Sequence, residues 1–274
     1  PGNANGYPDT AATDGVIGKV SYSWNKNDDV MYYLTWSEGF RPGLLNRPAG
    51  RTSPDGSYSV PPSIDSDEVT NYEFGWKAVA MDGALRFNGS VYMVDVSGLQ
   101  STIFDPSIVN LFFSDNAADA EIKGVEGDFM YFTGSGLTLS GAFSLLDTEI
   151  TKSLVPTGDV IVGSDLAFAP GFQANFTARK EWGTKSGNTG HWQAQVNHSR
   201  ASDSDIMEPN RATQASYALA NIRAGVSNDS WTAEMYIDNV TDERAEISNT
   251  FVFDRQRVAV IRPLNLGFRY KVKF

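Results

Sequence analysis

Residues suited to metal or nucleophilic chemistry are scarce in this sequence of 274 residues. It contains no cysteine, so thiolate metal sites and disulfides are excluded, and only His191 and His198 supply imidazole groups. The two histidines lie seven positions apart in a segment that alternates like a β-strand, and an odd spacing places them on opposite faces. They therefore cannot share a metal ion, and no metal site is predicted.

Oxygen-rich segments offer little more. The run from Ser202 to Asp205, with Glu208 nearby, carries oxygen ligands of the kind that Ca²⁺ accepts, but it lacks the glycine and the spacing of a calcium loop. No Gly-x-Ser-x-Gly, His-Glu-x-x-His or glycine-rich phosphate motif is present. His198 and Ser199 are adjacent on a strand and so point apart. The sequence predicts neither an enzyme nor a bound cofactor.

Arginine and aromatic side chains in the long polar segments are the best candidates for binding a ligand. A cationic loop could attract an anionic ligand, and exposed aromatic rings can contact a ligand. Solvated charge and packing within the loops explain the same residues without any ligand. The ligand-binding candidates are Arg41, Arg47, Arg51, Tyr58, Phe112, Phe113, Phe251, Arg255 and Arg257.

Period-two alternation organises the elements that would position these residues. Tyr72, Phe74 and Trp76, for example, alternate with polar residues such as Glu73 and Lys77. The pattern predicts roughly eleven strands, many near the length of about ten residues that a tilted transmembrane strand needs. No run reaches the roughly 18 apolar residues of a membrane-spanning helix, and the first residues do not resemble a signal peptide.

The connections between the predicted strands alternate between short turns and long polar loops. Outer-membrane barrels have short periplasmic turns and longer extracellular loops, so this alternation predicts a periplasmic C-terminus. The predicted long loops run from Phe40 to Asp67, Asp105 to Asp119, Ile150 to Ala169, Ala201 to Ala215 and Thr241 to Gln256.

An all-β fold is therefore expected, in the form of a transmembrane antiparallel up-and-down β-barrel. A soluble β-sandwich also has alternating strands and is the rival architecture. Trp24, Trp36, Trp182 and Trp231 lie at or near strand ends, where a membrane barrel places its aromatic girdle, and they favour the barrel. The net charge of -11 argues against nucleic acid as a partner.

Four short motifs carry a family resemblance. They are Glu38-Gly39-Phe40-Arg41-Pro42 with Asn46, Asn71-Tyr72-Glu73-Phe74-Gly75-Trp76-Lys77, Ala120-Glu121-Ile122-Lys123-Gly124-Val125-Glu126-Gly127 and Asp238-Asn239-Val240-Thr241-Asp242-Glu243-Arg244. In this order they resemble motifs of the barrel of TonB-dependent receptors. The resemblance extends from about Gly15 to the end of the sequence.

The resemblance implies a larger protein than this chain. Members of the family have an N-terminal plug and a barrel of about 22 strands, so residues 1–274 are expected to be the C-terminal part of the barrel domain. The plug and the first half of the barrel would be absent. Half a barrel would leave two unpaired strand edges in lipid, which hydrogen bonding disfavours.

The resemblance also implies partners. The last strand ends in alternating aromatic residues, Phe268, Tyr270 and Phe274, like the signal read by the outer-membrane assembly machinery. The other partners implied are outer-membrane lipid, the TonB-ExbB-ExbD complex acting through the plug, and a small nutrient, with a ferric siderophore as the default. A passive porin and a soluble β-sandwich binding module are the alternative functions.

Overall fold

A computed structural model shows that the strands form one large antiparallel sheet. It describes residues 6, 10–46, 49–155, 160–203, 213–252 and 255–273. Eleven strands follow one another across this sheet in chain order. Two further pairs of short strands lie outside it, in the loops. The strands of the sheet are β1 Lys19–Asn27, β2 Val30–Arg41, β3 Asp67–Ala80, β4 Leu85–Ile103, β5 Phe113–Phe132, β6 Leu137–Ser153, β7 Phe172–Gly183, β8 Thr189–Ser199, β11 Tyr217–Ser227, β12 Trp231–Asp238 and β15 Asn265–Val272.

The two short pairs lie in the last two long loops. Strands β9, Ser202–Asp203, and β10, Thr213–Gln214, pair between β8 and β11. Strands β13, Glu246–Val252, and β14, Arg255–Val260, form a hairpin between β12 and β15. Within the described residues, no helix is long and apolar enough to cross a membrane.

The large sheet has one apolar face and one polar face. On the apolar face, Leu34 pairs with Phe74, and Phe74 pairs with Val91; all three side chains are exposed. The polar face carries the intervening residues, such as Tyr33 and Glu73, because successive side chains on a strand point to opposite faces. An exposed apolar face of this extent is typical of a surface that contacts another apolar phase.

Aromatic rings form a ladder across the apolar face near the short turns. Trp24 stacks on Tyr32 with ring centroids 5.7 Å apart, and Tyr32 stacks on Phe74 at 6.0 Å. The ladder continues from Phe74 to Trp76 and from Trp76 to Phe87. Cross-strand aromatic pairs stabilise a sheet and also fix its register.

Two glycines are required by rings that lie flat across the neighbouring strand. A Cβ atom built on Gly75 would lie 2.2 Å from Cζ of Tyr33, and one built on Gly89 would lie 2.3 Å from Cζ2 of Trp76. Both distances are far below a van der Waals contact. Tyr33 and Trp76 therefore occupy the space that a side chain on the opposing strand would fill.

The predicted fold class is confirmed, and the sheet contains the expected number of strands. Several predicted loop boundaries were wrong. Strand β5 begins at Phe113 and not after Asp119, β6 continues past Ile150 to Ser153, and the last two loops contain short strands. Alternation is hard to detect in these segments because both faces of the strand ends are covered by loops or exposed to water.

Candidate functional site

The end of the sheet that carries the long loops brings together most of the predicted ligand-binding residues. There the loop after β2 folds back onto β4 and β5. Arg41 forms an ion pair with Asp67 at the start of β3, and its guanidinium also donates to the carbonyl oxygen of Gln100 at 3.1 Å. The Gln100 amide in turn donates to the carbonyl of Pro42 at 3.0 Å. Arg41 thus fastens the beginning of the loop to the sheet.

Asn46 makes a second attachment between the same loop and β5. Its Nδ2 donates to the carbonyl oxygens of Pro61 at 2.9 Å and Ser114 at 2.8 Å, while its Oδ1 accepts from the backbone N–H of Ser114 at 2.8 Å. Both the acceptor and the donor capacity of the amide are used. Arg41 and Asn46 of the first motif therefore attach the loop after β2 to the neighbouring strands.

Asn116 makes a third attachment further along β5. Its Oδ1 accepts from the backbone N–H of Asp65 at 2.9 Å, and its Nδ2 donates to the carbonyl oxygens of Asp65 at 3.1 Å and Gly98 at 2.6 Å. One amide thus joins the end of the loop, β4 and β5. Nothing in the sequence had singled out Asn116, because its partners are brought near only by the fold.

An apolar core lies beneath these attachments. It combines Val60, 1% exposed, with Phe113 and Ile150, which are 2% and 0% exposed, and with Val160, 4% exposed. Tyr58 packs at its edge and donates a hydrogen bond of 2.6 Å to Asp115. Burial and this bond to a carboxylate raise the pKa of Tyr58. Tyr58 and Phe113, two of the predicted ligand contacts, are thus buried in this core.

The remaining ligand-binding candidates have different environments. Phe112 is half-exposed and packs against Phe104 with ring centroids 5.0 Å apart. Arg51 is exposed in the first loop, and Arg255 and Arg257 are exposed on β14. The backbone of Phe251 pairs with that of Gln256 in the hairpin of β13 and β14. Arg47 lies outside the described residues, as does Phe274 of the predicted assembly signal.

The two histidines lie on different faces of β8 and have different partners. His191 is buried on the polar face, where Nε2 lies 3.2 Å from Oε2 of Glu234; Arg269 approaches the same carboxylate at 3.7 Å. His198 donates from Nδ1 to the carbonyl of Tyr217 at 2.9 Å. Among the described residues no group of His, Asp and Glu side chains is arranged to hold a metal ion. Most of the acidic run after Ser202 lies outside those residues.

Carboxylates and hydroxyl groups line the polar face of the sheet below the loops. Tyr33 donates to Glu73 at 2.5 Å, and Ser90 donates to Glu126 at 3.3 Å. Asn88 donates to Asp128 at 3.0 Å. Sequence reasoning assigned Glu73 to this face but missed its hydroxyl partner, because the strand register that joins them is not encoded in a local motif.

Several solved structures share the fold of this chain. The ferric yersiniabactin uptake receptor FyuA from Yersinia pestis matches with a TM-score of 0.75 and 17% identity, over 94% of this chain and 37% of that protein. BauA, the ferric preacinetobactin receptor from Acinetobacter baumannii, gives 0.71 and 18%, over 97% and 37%. The copper transporter OprC gives 0.69 and 14%, over 94% and 40%. At these identities the matches show the fold alone.

The chain spans well under half the length of these proteins. A sequence-family model for the TonB-dependent receptor-like β-barrel matches residues 2–240, which is most of the chain. This match agrees with the one-sheet meander, the aromatic ladder and the four motifs. The chain belongs to the TonB-dependent receptor-like β-barrel family.

Proposed function

We propose that this chain is the C-terminal part of the barrel domain of an outer-membrane receptor that captures a scarce nutrient and imports it with energy supplied by TonB. The observation that carries this proposal is the large antiparallel sheet, which is apolar and exposed on one face and polar on the other. Such a sheet suits a wall between lipid and a water-filled lumen. The long-loop end would face the cell exterior and capture the nutrient.

Strand length supports this orientation. A transmembrane strand needs about 9–11 residues, whereas β4, β5 and β6 contain 19, 20 and 17 residues. The surplus lies at the long-loop end, where the apolar face gives way to charged residues: Lys123 and Glu121 form an ion pair on the same face as Val125. These strands would therefore rise out of the membrane, and the short turns and the C-terminus would be periplasmic.

Strand parity supports the proposal that further strands complete the barrel. The sheet is an antiparallel meander of eleven strands, so β1 and β15 run in the same direction and cannot pair with each other in an antiparallel barrel. A second copy in the same membrane orientation would meet the same obstacle. An odd number of additional strands removes it, as the first half of a barrel of about 22 strands would do. A plug inside the lumen would carry the contact with the TonB-ExbB-ExbD complex.

We propose a ferric siderophore as the nutrient. FyuA is described as a ferric yersiniabactin uptake receptor and BauA as the ferric preacinetobactin receptor, and their fold is shared by this chain. OprC, with the same fold, is described as a copper transporter. The uptake experiment therefore compares ferric siderophores with copper. Among the predicted contacts, Phe112, Arg51, Arg255 and Arg257 remain exposed and are the residues proposed to meet the ligand.

Uptake by the full-length protein tests the proposal. The receptor is expressed in a Gram-negative host without siderophore receptors of its own, and uptake is measured with a panel of radioactive ferric siderophores and with copper. We expect saturable uptake of one siderophore that stops when the proton-motive force is collapsed or TonB is deleted. Uptake that persists after either treatment would support the passive porin instead. Uptake of copper alone would reject the ferric siderophore as the nutrient but would still agree with an energised receptor.

A further inference from the structure

We propose that the three long loops after β2, β4 and β6 form a single cooperative unit. This unit, which we call the cap, comprises residues 42–46 and 49–66, residues 104–112, residues 154–155 and 160–171, and the ends of β4, β5 and β6 that they cover. The cap opens and closes as one body and not as three independent lids. This inference concerns the loops themselves and does not depend on which nutrient is bound.

The three loops share one apolar core. Val60 comes from the first loop and Val155 and Val160 from the third, and all three are buried in the cluster that contains Phe113 of β5 and Ile150 of β6. From the second loop, Ile108 and Val109 pack against the same cluster. No second apolar cluster is found for any of these loops in the described part of the chain. The apolar side chains that the three loops contribute to this cluster are therefore buried together, against one another and against the ends of β5 and β6.

Polar contacts join the first loop to β5. Asn46 bonds with Ser114, Tyr58 with Asp115, and Asn116 with Asp65. These partners are consecutive residues at the start of β5, directly after the second loop. A shift of the first loop would thus break bonds to three neighbouring residues, and the order of the second loop depends on the same strand end.

The third loop is attached to the other side of this strand end. The N–H of Leu154 donates to the carbonyl of Ala117 at 2.9 Å, and the N–H of Ile150 donates to the carbonyl of Ser164 at 2.9 Å. The N–H of Leu166 also donates to the hydroxyl of Thr148 at 3.0 Å. The start of β5 and the end of β6 consequently lie between the first and third loops and transmit displacement from one to the other.

Cooperativity follows from the cost of partial opening. Lifting one loop would expose apolar side chains of the remaining two and leave buried amide and carbonyl groups without partners. Segments that share buried contacts in this way open together in native-state hydrogen exchange. A different unit is expected for the last two loops, because Asn249 of β13 donates to the carbonyl of Thr213 in β10 at 3.4 Å.

Hydrogen–deuterium exchange of the full-length receptor in detergent tests the cap, using Val60→Ala and a matched control. Val60 is 1% exposed, whereas Val162, in the third loop, is 55% exposed, so Val162→Ala removes the same atoms without opening the core. For Val60→Ala we expect exchange to rise on the order of tenfold in the first loop and by a similar factor in residues 104–112 and 160–171. Val162→Ala should leave all three segments unchanged.

The pattern of exchange decides between one unit and three. A rise confined to residues 49–66 in Val60→Ala would overturn the proposal, as would an equal response to Val162→Ala. Unchanged protection in β7 and β8 shows that the barrel remains assembled. The milder Tyr58→Phe, which removes only the bond to Asp115, must give the same three-segment pattern at smaller amplitude, so the proposal stays testable even where Val60→Ala assembles poorly.

Discussion

Tyr58 shows how a residue can resemble a ligand contact in the sequence and serve a structural purpose in the fold. Aromatic side chains in polar loops attract attention because rings are common in binding sites. Here the ring is buried beside Phe113 with centroids 6.0 Å apart, and the hydroxyl is bonded to Asp115. The same applies to Arg41, whose guanidinium is paired with Asp67. Loss of ligand binding on substituting either residue would therefore report on loop structure.

The raised pKa of Tyr58 predicts an alkaline limit to the stability of its loop. An unfolded tyrosine ionises near pH 10, whereas burial and the bond to Asp115 keep the pKa of folded Tyr58 above its usual value. The stabilisation is thus fully present below about pH 10 and is lost as the pH rises towards the folded pKa. Proteolysis of the loop in the full-length receptor should therefore be constant below about pH 10 and accelerate progressively as the pH rises above that value.

Tyr58→Phe is the control for this pH dependence. It retains the ring but cannot ionise, so it should cost about 1 kcal/mol at neutral pH and show a weaker dependence on alkaline pH than the unsubstituted receptor. Identical pH profiles for the two proteins would show that Tyr58 does not set the limit.

At the level of the strand, glycine positions follow the rings on the neighbouring strand. Gly75 can be replaced only if Tyr33 moves, since a Cβ there would lie 2.2 Å from Cζ of that ring. Gly39 has nothing within 4 Å of its Cβ position and is the matched control. Gly75→Ala should lower the temperature at which the full-length barrel unfolds on a heat-modifiability gel, and Gly39→Ala should not.

A double substitution separates steric conflict from a general effect on strand propensity. Tyr33→Ala with Gly75→Ala vacates the space that the new methyl group needs, so it should restore part of the lost thermal stability. If the double variant loses as much thermal stability as the two single variants together, the ring does not explain the requirement for glycine.

The terminal strand offers a second prediction at this scale. Tyr270 lies on the apolar face of β15 and stacks with Trp231 at 6.2 Å, and in the sequence Phe274 comes four positions later. Replacing both with serine removes the aromatic end of the strand, so outer-membrane levels of the full-length receptor should fall several-fold. Lys271→Ser changes the polar face of the same strand and should have little effect. Normal levels of the double variant would contradict the assembly-signal assignment.

The sequence predicted elements better than it predicted sites, for a physical reason. Alternation is a local property, so β3 or β7 can be recognised from its own residues. Partners such as Asn46 and Ser114 are 68 residues apart and meet only when the register of the intervening strands is set. For the same reason Phe113 was assigned to a long loop as a candidate ligand contact, although it lies at the start of β5 in the core of the cap.

Across the whole molecule, the feature that gives the sheet a direction is the difference between its two ends. One end carries short turns such as residues 184–188, and the other carries the cap. Outer-membrane barrels carry their long loops at the extracellular end and their short turns at the periplasmic end, so this difference points the cap towards the cell exterior. The apolar face between them fixes the depth of the sheet but not which end points outward.

Single cysteines test the direction, because the chain has no cysteine of its own. Pro54 lies at the exposed tip of the first loop, and Lys185 lies in an exposed short turn. In intact cells that express the full-length receptor with any other cysteines replaced, a membrane-impermeant maleimide should label Pro54→Cys at once and Lys185→Cys only after the outer membrane is permeabilised. Both sites are exposed to water, so a difference in labelling reports sidedness and not burial. Immediate labelling of Lys185→Cys, with protection of Pro54→Cys, would invert the proposed orientation and move the cap to the periplasmic side, where it could not capture an external nutrient.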